Sequence, residues 1–294
     1  GNIWTEYIDT WKKLEYMAMP RMAALAEVAW TKKELKDYDG FARRLSSHTK
    51  LLSFLNVNYS KAFYDISTRV TPNGSRGINV ELLCNYPNGQ IHYTTNMSEP
   101  NATSPVYTSK FNFDQSMMLK AALFEGRQMK GNVFSQKYLV NYATGKEVTL
   151  KDQPDPEYSK GGAFTLVNGI VGNLPWNGND WLGFQKTGMD ATIDLEIVRE
   201  ITQVNVDVLN DSVSWIYPPA SIEVLVSEDN IEFVSVRKLN ANEIKKSGRL
   251  TSLKFAKRSA RYVKVVATTK GKIEAGAQGA GNDAWIMIDE IQIN

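Results

Sequence analysis

From Trp11 to Ala29 the apolar residues recur at helical spacing, with Trp11, Leu14, Met17, Ala18, Met22, Leu25, Ala26 and Ala29 lining one broad face. Such a face needs a large partner to cover it. Pro20 lies within the pattern and has no N–H for the helical ladder, so a kink or irregular turn is expected near Met19 and Pro20. Asp39 offers an N-cap for a second helix that carries Phe41, Leu45, Leu52 and Leu55 and ends near Asn56.

After Tyr64 the period shortens to two. The segments Ile78 to Leu83, Gln90 to Thr95, Met118 to Phe124 and Gln136 to Val140 read as strands, with turns such as Pro87-Asn88-Gly89 between them, and together predict a small β-sandwich. Residues 143–157, ATGKEVTLKDQPDPE, become charged and proline-containing and read as a linker. Beyond them ATIDLEIV, ITQVNVDVLN, SIEVLVSED, RLTSLKFA, RYVKVVATT and WIMIDEIQI alternate apolar and polar residues, as in an antiparallel jelly roll or sandwich. The expected fold class is mainly β with an N-terminal helical segment, organised as 1–65, 66–142, a linker at 143–157, and 158–294.

Composition narrows the function classes. The 294 residues carry 34 basic and 32 acidic side chains, a net charge of +2 spread along the chain, which gives no nucleic-acid or anionic-membrane surface. A single cysteine, Cys84, excludes an internal disulfide, and the two histidines, His48 and His92, stand too far apart to suggest a metal cluster. No apolar run reaches the length of a membrane span of about 20 residues. The sequons at Asn58, Asn96, Asn101 and Asn210 are expected by chance in an Asn-rich chain.

Two blocks at the start, Asn2-Ile3-Trp4-Thr5-Glu6-Tyr7 and EYMAMPRMAALAEVAW from Glu15 to Trp30, carry chemistry. An indole face packs on the C–H patch of a pyranose, and a carboxylate accepts hydrogen bonds from neighbouring hydroxyls; two apart on a strand, Trp4 and Glu6 would point to the same side. The alternative is that Trp4 is core and Glu6 a solvated strand end. The blocks resemble the last strand and helix of the catalytic (β/α)8 barrel in family-20 glycoside hydrolases, the β-N-acetylhexosaminidases. That resemblance implies the end of a truncated barrel over 1–65, with Trp4 lining an N-acetylhexosamine pocket and Glu6 holding its outer hydroxyls. It also implies a chain that begins inside a domain, partnered by the missing N-terminal part of the catalytic domain, and a periplasmic or extracellular parent enzyme. The family's adjacent Asp-Glu pair, in an H-x-G-G-D-E setting, protonates the leaving oxygen and orients the substrate's acetamido group as nucleophile. Here the only Asp-Glu dipeptide is Asp289-Glu290, in an alternating strand that sends the two side chains to opposite faces, so no catalytic residue is assigned and the chain is expected to be inactive alone.

The run from Ile91 to Tyr138, with IHYTTNMSEP and LKAALFEG, resembles the small β-domain appended to chitobiases and hexosaminidases, with Asn96-Met97 in place of the usual Asp-Gly turn. From 158 onward, WLGF at 181–184, ATIDL at 191–195, SWIYPPASIEVLVSEDN at 214–230, ARYVKVVA at 260–267 and AWIMIDEI at 284–291 resemble the discoidin, or coagulation-factor C-type, fold that family-32 carbohydrate-binding modules share. The resemblance implies a ligand site on loops at one end of the barrel, with Trp176, Asn177, Asp180 and Trp181 as candidate glycan-binding residues and Trp215 and Tyr217 beside them. The alternative is that Trp181 and Trp215 seal the barrel end. It also implies a candidate structural calcium near Asn168 and Glu290, with Asn168 standing where an Asp is usual; no other cofactor is expected. The expected partner is an N-acetylhexosamine-containing glycan, and the functional alternatives are a noncatalytic glycan-binding protein or a structural adhesion module.

Overall fold

The computed structural model describes residues 2–74, 77–176 and 180–294. The N-terminal third holds α1 (Trp11–Ala18), α2 (Arg21–Trp30) and α3 (Tyr38–Phe54). Next come β1 (Ile66–Pro72), β2 (Ile78–Cys84), β3 (Gln90–Thr94), β4 (Phe111–Phe113), β5 (Met117–Glu125) and β6 (Gln128–Tyr138). They form two three-stranded sheets of order β1-β2-β4 and β3-β5-β6. The remainder holds β7 (Glu147–Leu150), β8 (Leu182–Phe184), β9 (Met189–Val208), β10 (Ser221–Ser227), β11 (Val234–Asn240), α4 (Ala241–Ser247), β12 (Leu250–Thr268) and β13 (Ile286–Ile293). The chain is mainly β with N-terminal helices. It divides into one compact unit of 1–69, 81–110 and 118–136 and a second of 70–80, 111–117 and 137–294.

In the first unit, Thr10 caps α1 by accepting the Lys13 N–H at 3.2 Å. The proline acts as a break and not merely a kink: α1 stops at Ala18 and α2 restarts at Arg21, because the Pro20 ring displaces the preceding turn and supplies no N–H. Helix α3 starts two residues earlier than an N-cap at Asp39 predicts, with Asp37 at the cap position, so Asp39 lies in its first turn. Helix α3 buries Ala42, Leu45, Thr49 and Leu52, whereas α2 buries nothing and leaves Met22, Leu25, Val28 and Trp30 exposed. Residues 2–5 form no strand and Glu6 and Tyr7 form a turn. A strand exists only beside another that takes up its N–H and C=O groups, and among the described residues none lies alongside.

The main sheet of the second unit is seven-stranded and antiparallel, of order β11-β10-β12-β9-β13-β8, with β7 also paired to β9. The expected linker is therefore part of the fold: Glu147 to Leu150 pair with Asp194 to Ala191. Charged residues misled there because Val148 and Leu150 supply the inward positions while their neighbours face water. The segments expected as separate strands at 191–198 and 201–210 run together as β9, and those at 249–256 and 261–269 as β12. Both bend partway: their register slips between Lys254 and Arg258 and again between Ala260 and Tyr262, and Glu196 turns through a φ of +67°. Such bulges let one long strand serve both walls of a curved sheet. The core between the walls is built from alternate residues, among them Ile193, Val204, Val224, Val265 and Ile288. Strand β13 departs from the half-exposed pattern its alternation suggested, since every residue from Ile286 to Ile293 is buried.

Candidate site at the Trp176 end of the second unit

The loop carrying Trp176 is anchored at its base. Arg249 donates through Nε to both carboxylate oxygens of Asp207, at 2.8 and 2.9 Å, and through Nη2 to the Gly172 carbonyl at 2.5 Å. The Gly172 N–H donates to Asp289 Oδ2, and Arg249 Nη2 stands 3.6 Å from the same oxygen. A Cβ on Gly172 would lie 2.8 Å from the Trp181 ring, so glycine is needed for the backbone to approach the indole. Burial, and then the neighbouring Asp207 carboxylate, push the Asp289 carboxyl well above the usual range. Asp289 thus stands beside an Asp207–Arg249 ion pair, where a second negative charge is costly.

Trp181 differs from the expectation of an exposed platform. It is 1% exposed, with the Arg249 guanidinium 4.9 Å from its ring centre, and packs with Leu209, Ile216 and Met287. No face of the indole is left for a sugar. The strand it precedes turns it inward, so it seals the end of the sandwich. Asp180 lies on the same loop, where its Oδ2 accepts from the N and Nδ2 of Asn173, both at 3.3 Å. Asn177 lies outside the described residues.

Trp176 is half-buried, tilted against Tyr158 at 5.8 Å, and its Nε1 donates to Asp211 Oδ2 at 3.0 Å. The Ser214 hydroxyl, 2.6 Å away, and this indole N–H hold the Asp211 carboxyl below the usual carboxylate range. Trp215 follows at a left-handed φ of +62° and remains 37% exposed, with Gly279 against its ring. Tyr217 donates its hydroxyl to the Gln278 carbonyl at 2.8 Å, and Lys270 stands 5.1 Å from its ring centre. Backbone bonds link the Trp215 and Tyr217 stretch to Trp285, which stacks edge-on to Tyr158 at 5.1 Å. The fold thus gathers Trp176 and Trp181 from one segment and Trp215 and Tyr217 from another toward one end.

A cavity of about 420 Å3 opens beside Trp176, with Leu209, Pro218 and Ile244 as apolar wall and Asn210, Asp211 and Lys245 as polar groups. Apolar surface with a few fixed acceptors and donors is what a pyranose requires, its C–H face against one and its hydroxyls on the other. Of these residues only Trp176 carried a signal in the sequence. Asn210 and Asp211 follow β9, Pro218 precedes β10, and Ile244 and Lys245 lie on α4, so no local spacing joins them.

Trp4 is 82% exposed, and Glu6 is exposed beside it; neither is brought into a pocket. For calcium, hard oxygen donors are needed, about six to eight of them. Asn168 Oδ1 is taken by the Ile170 N–H at 2.7 Å, and Glu290 Oε2 by the Gly169 N–H at 3.2 Å. Glu290 Oε1 is buried without a protein hydrogen-bond partner, and burial drives this carboxyl well above the usual range. Among the described residues no three His, Cys, Asp or Glu side chains come together as a metal group. The acidic oxygens here without a protein hydrogen-bond partner are Glu290 Oε1 and, on the neighbouring residue, Asp289 Oδ1.

Residues 1–33 match the family model for the glycosyl hydrolase family 20 catalytic domain, and residues 71–135 match that for the chitobiase/beta-hexosaminidase C-terminal domain. A beta-hexosaminidase of Porphyromonas gingivalis is 32% identical over 127 residues, 41% of this chain and 16% of the relative. A beta-N-acetylhexosaminidase of Cellulomonas fimi is 44% identical over 46 residues, 16% of this chain and 9% of the relative. The chain therefore spans a small part of the length of both. Among solved structures, the module CpGH89CBM32-5 of Clostridium perfringens, in complex with GalNAc-β-1,3-galactose, is 21% identical, with a TM-score of 0.36 over 50% of this chain and 94% of that one. The lectin domain of lectinolysin, complexed with Lewis B antigen, is 14% identical with a TM-score of 0.38 over 52% and 95% of the two chains. In sequence, then, this chain is similar to the catalytic domain of family-20 glycoside hydrolases over residues 1–33 and to the C-terminal domain of chitobiases and β-hexosaminidases over residues 71–135.

Proposed function

We propose that this chain is the C-terminal portion of a β-N-acetylhexosaminidase that removes terminal N-acetylhexosamine from glycans by substrate-assisted retaining hydrolysis. The observation that carries the reading is the order of the two matches, catalytic domain at 1–33 and C-terminal domain at 71–135, in one chain. The exposed faces of α2 and of Trp4 and Tyr7 support it, because an apolar surface of this kind fits burial against the remainder of a barrel. Trp4 and Glu6 contribute to the sugar pocket once that remainder is present. The chain itself carries no acid/base pair: Asp289 and Glu290 are both buried and bonded to backbone N–H groups of Gly172 and Gly169. The small β-sandwich braces the catalytic domain, and the cavity beside Trp176 holds a glycan.

The test compares this chain with the same chain extended by a complete family-20 catalytic domain, using an aryl N-acetyl-β-glucosaminide. The expected result is no turnover by the chain alone and turnover by the extended protein that falls in Trp4→Ala and Glu6→Gln. Turnover by the chain alone, or an extended protein inactive on N-acetylhexosaminides, overturns the reading.

A further inference from the structure

The first unit contains a second cavity, of about 640 Å3, between α3 and the β5–β6 hairpin. Lys50, Lys61, Lys130 and Glu125 line it. Lys50 Nζ lies 3.0 Å from Glu125 Oε1 and Lys130 Nζ 3.2 Å from Oε2, so one carboxylate serves two ammonium groups. Lys61 is exposed and makes no ion pair among the described residues. The cavity is therefore left with an excess of positive charge, which attracts an anion.

The hydroxyls of its floor add a second constraint. Tyr64 donates to Thr49 Oγ1 at 2.8 Å, and Thr49 donates to the Ser46 carbonyl at 2.9 Å. Ser53 donates to the Thr49 carbonyl at 2.9 Å, which leaves the Tyr59 hydroxyl, also 2.9 Å away, to donate to Ser53 Oγ. Each of these protons is committed within the protein, so Tyr59, Tyr64, Thr49 and Ser53 can offer a ligand only oxygen lone pairs. The donors left for a ligand are the ammonium groups and the side-chain amide of Gln128, whose oxygen already accepts from Lys130 at 2.8 Å. A bare oxyanion has no hydrogens for the hydroxyl oxygens, and a neutral sugar leaves the charge unbalanced.

We propose that this cavity binds an acidic monosaccharide unit, its anionic group held by Lys61 and Lys130 and its hydroxyls donating to the tyrosine and serine oxygens. The proposal is independent of the family-20 reading and of the cavity beside Trp176. The volume falls in the range of small-molecule sites, about 300–1,000 Å3.

The full chain is titrated calorimetrically with glucuronate, glucose 6-sulfate, inorganic sulfate and uncharged glucose at low ionic strength, and again at physiological salt. Saturable binding of a charged sugar, weaker at higher salt, with glucose silent and inorganic sulfate weaker, is the expected result; which charged sugar binds better assigns carboxylate or sulfate ester. Lys61→Gln and Lys130→Gln should each weaken it about tenfold, the scale of one charge-assisted hydrogen bond. Glu125→Gln should tighten it by releasing Lys50 and Lys130. Thermal unfolding of each variant separates lost binding from lost fold. Absence of saturable binding, equal binding of glucose, inorganic sulfate binding as tightly as the charged sugars, or Lys61→Gln behaving as the parent overturns the proposal.

Discussion

Arg249 places its guanidinium 4.9 Å from the centre of the Trp181 ring, and the same group binds Asp207 through Nε and Nη2. One side chain therefore closes the face of a buried indole, neutralises a carboxylate that is 1% exposed, and holds the base of the Trp176 loop through the Gly172 carbonyl. Cation–π contact and bidentate pairing both need the planar guanidinium, which lysine lacks.

Removing that side chain should be costly. In Arg249→Met, Asp207 remains buried without its partner, and stability should fall by about 3–5 kcal/mol, the usual penalty for breaking a buried pair on one side. Equilibrium urea unfolding measures it. A loss under about 1 kcal/mol would mean that solvent reaches Asp207 and substitutes for the guanidinium.

The two tryptophans of the loop should separate binding from stability. Trp181→Ala removes a fully buried ring and should destabilise by about 3–5 kcal/mol. Trp176→Ala, half-exposed on the cavity wall, should leave the melting temperature close to the parent value while lowering retention on immobilised N-acetylhexosamine glycans. Equal retention by parent and Trp176→Ala would remove this cavity as the glycan site.

Glu290 gives a pH dependence with a definite sign. Burial raises its folded-state pKa above the ordinary 4.5. The folded state thus holds the proton more tightly than the unfolded chain, and this group's contribution is fully present below the unfolded pKa and lost as pH rises toward the folded one. In calcium-free buffer Glu290→Gln, which keeps an acceptor for the Gly169 N–H, should be more stable than the parent at about pH 8 and nearly equal to it at about pH 4. Added calcium should raise the parent's melting temperature at the higher pH and not the variant's, if Glu290 Oε1 is a ligand. Identical pH profiles for the two proteins would place solvent or a fixed cation beside the carboxylate.

Gly279 should tolerate no side chain. Its φ is +83°, and a Cβ would lie 2.5 Å from Trp215 Cδ1. Gly279→Ala should lower stability by about 1–3 kcal/mol from the backbone conformation alone and shift Trp215 fluorescence as the ring is displaced. An unchanged emission spectrum would show that the 279 loop moves and the indole stays.

Much of the fold was legible along the chain because local spacing states which residues share a face. The helical period before Tyr64, an irregularity near Pro20 and the alternation along β9, β10 and β12 correspond to observed elements. The apolar stripe of α2 was equally plain, and the structure leaves it exposed. What misled were positions where pattern and environment part. Residues 147–150 looked like linker because only two of their side chains turn inward, and β13 looked half-exposed because its polar residues alternate.

The site was legible only in part. Aromatics and amides in the 176–181 loop marked that end of the sandwich, but spacing along a loop does not say which ring is outside. That was decided by Arg249, far away in sequence, and by the close approach of Gly172, which cover Trp181 and leave Trp176 at a cavity edge. The sequence by itself determined the helical N-terminal third and most of the strands that follow, the absence of the H-x-G-G-D-E motif and the two family-like segments, since these depend on neighbours in the chain. Only the tertiary structure decided the burial of Asp289 and Glu290, the cavities beside Trp176 and Lys61, and the pairing of Arg249, since each depends on side chains that folding alone brings into range.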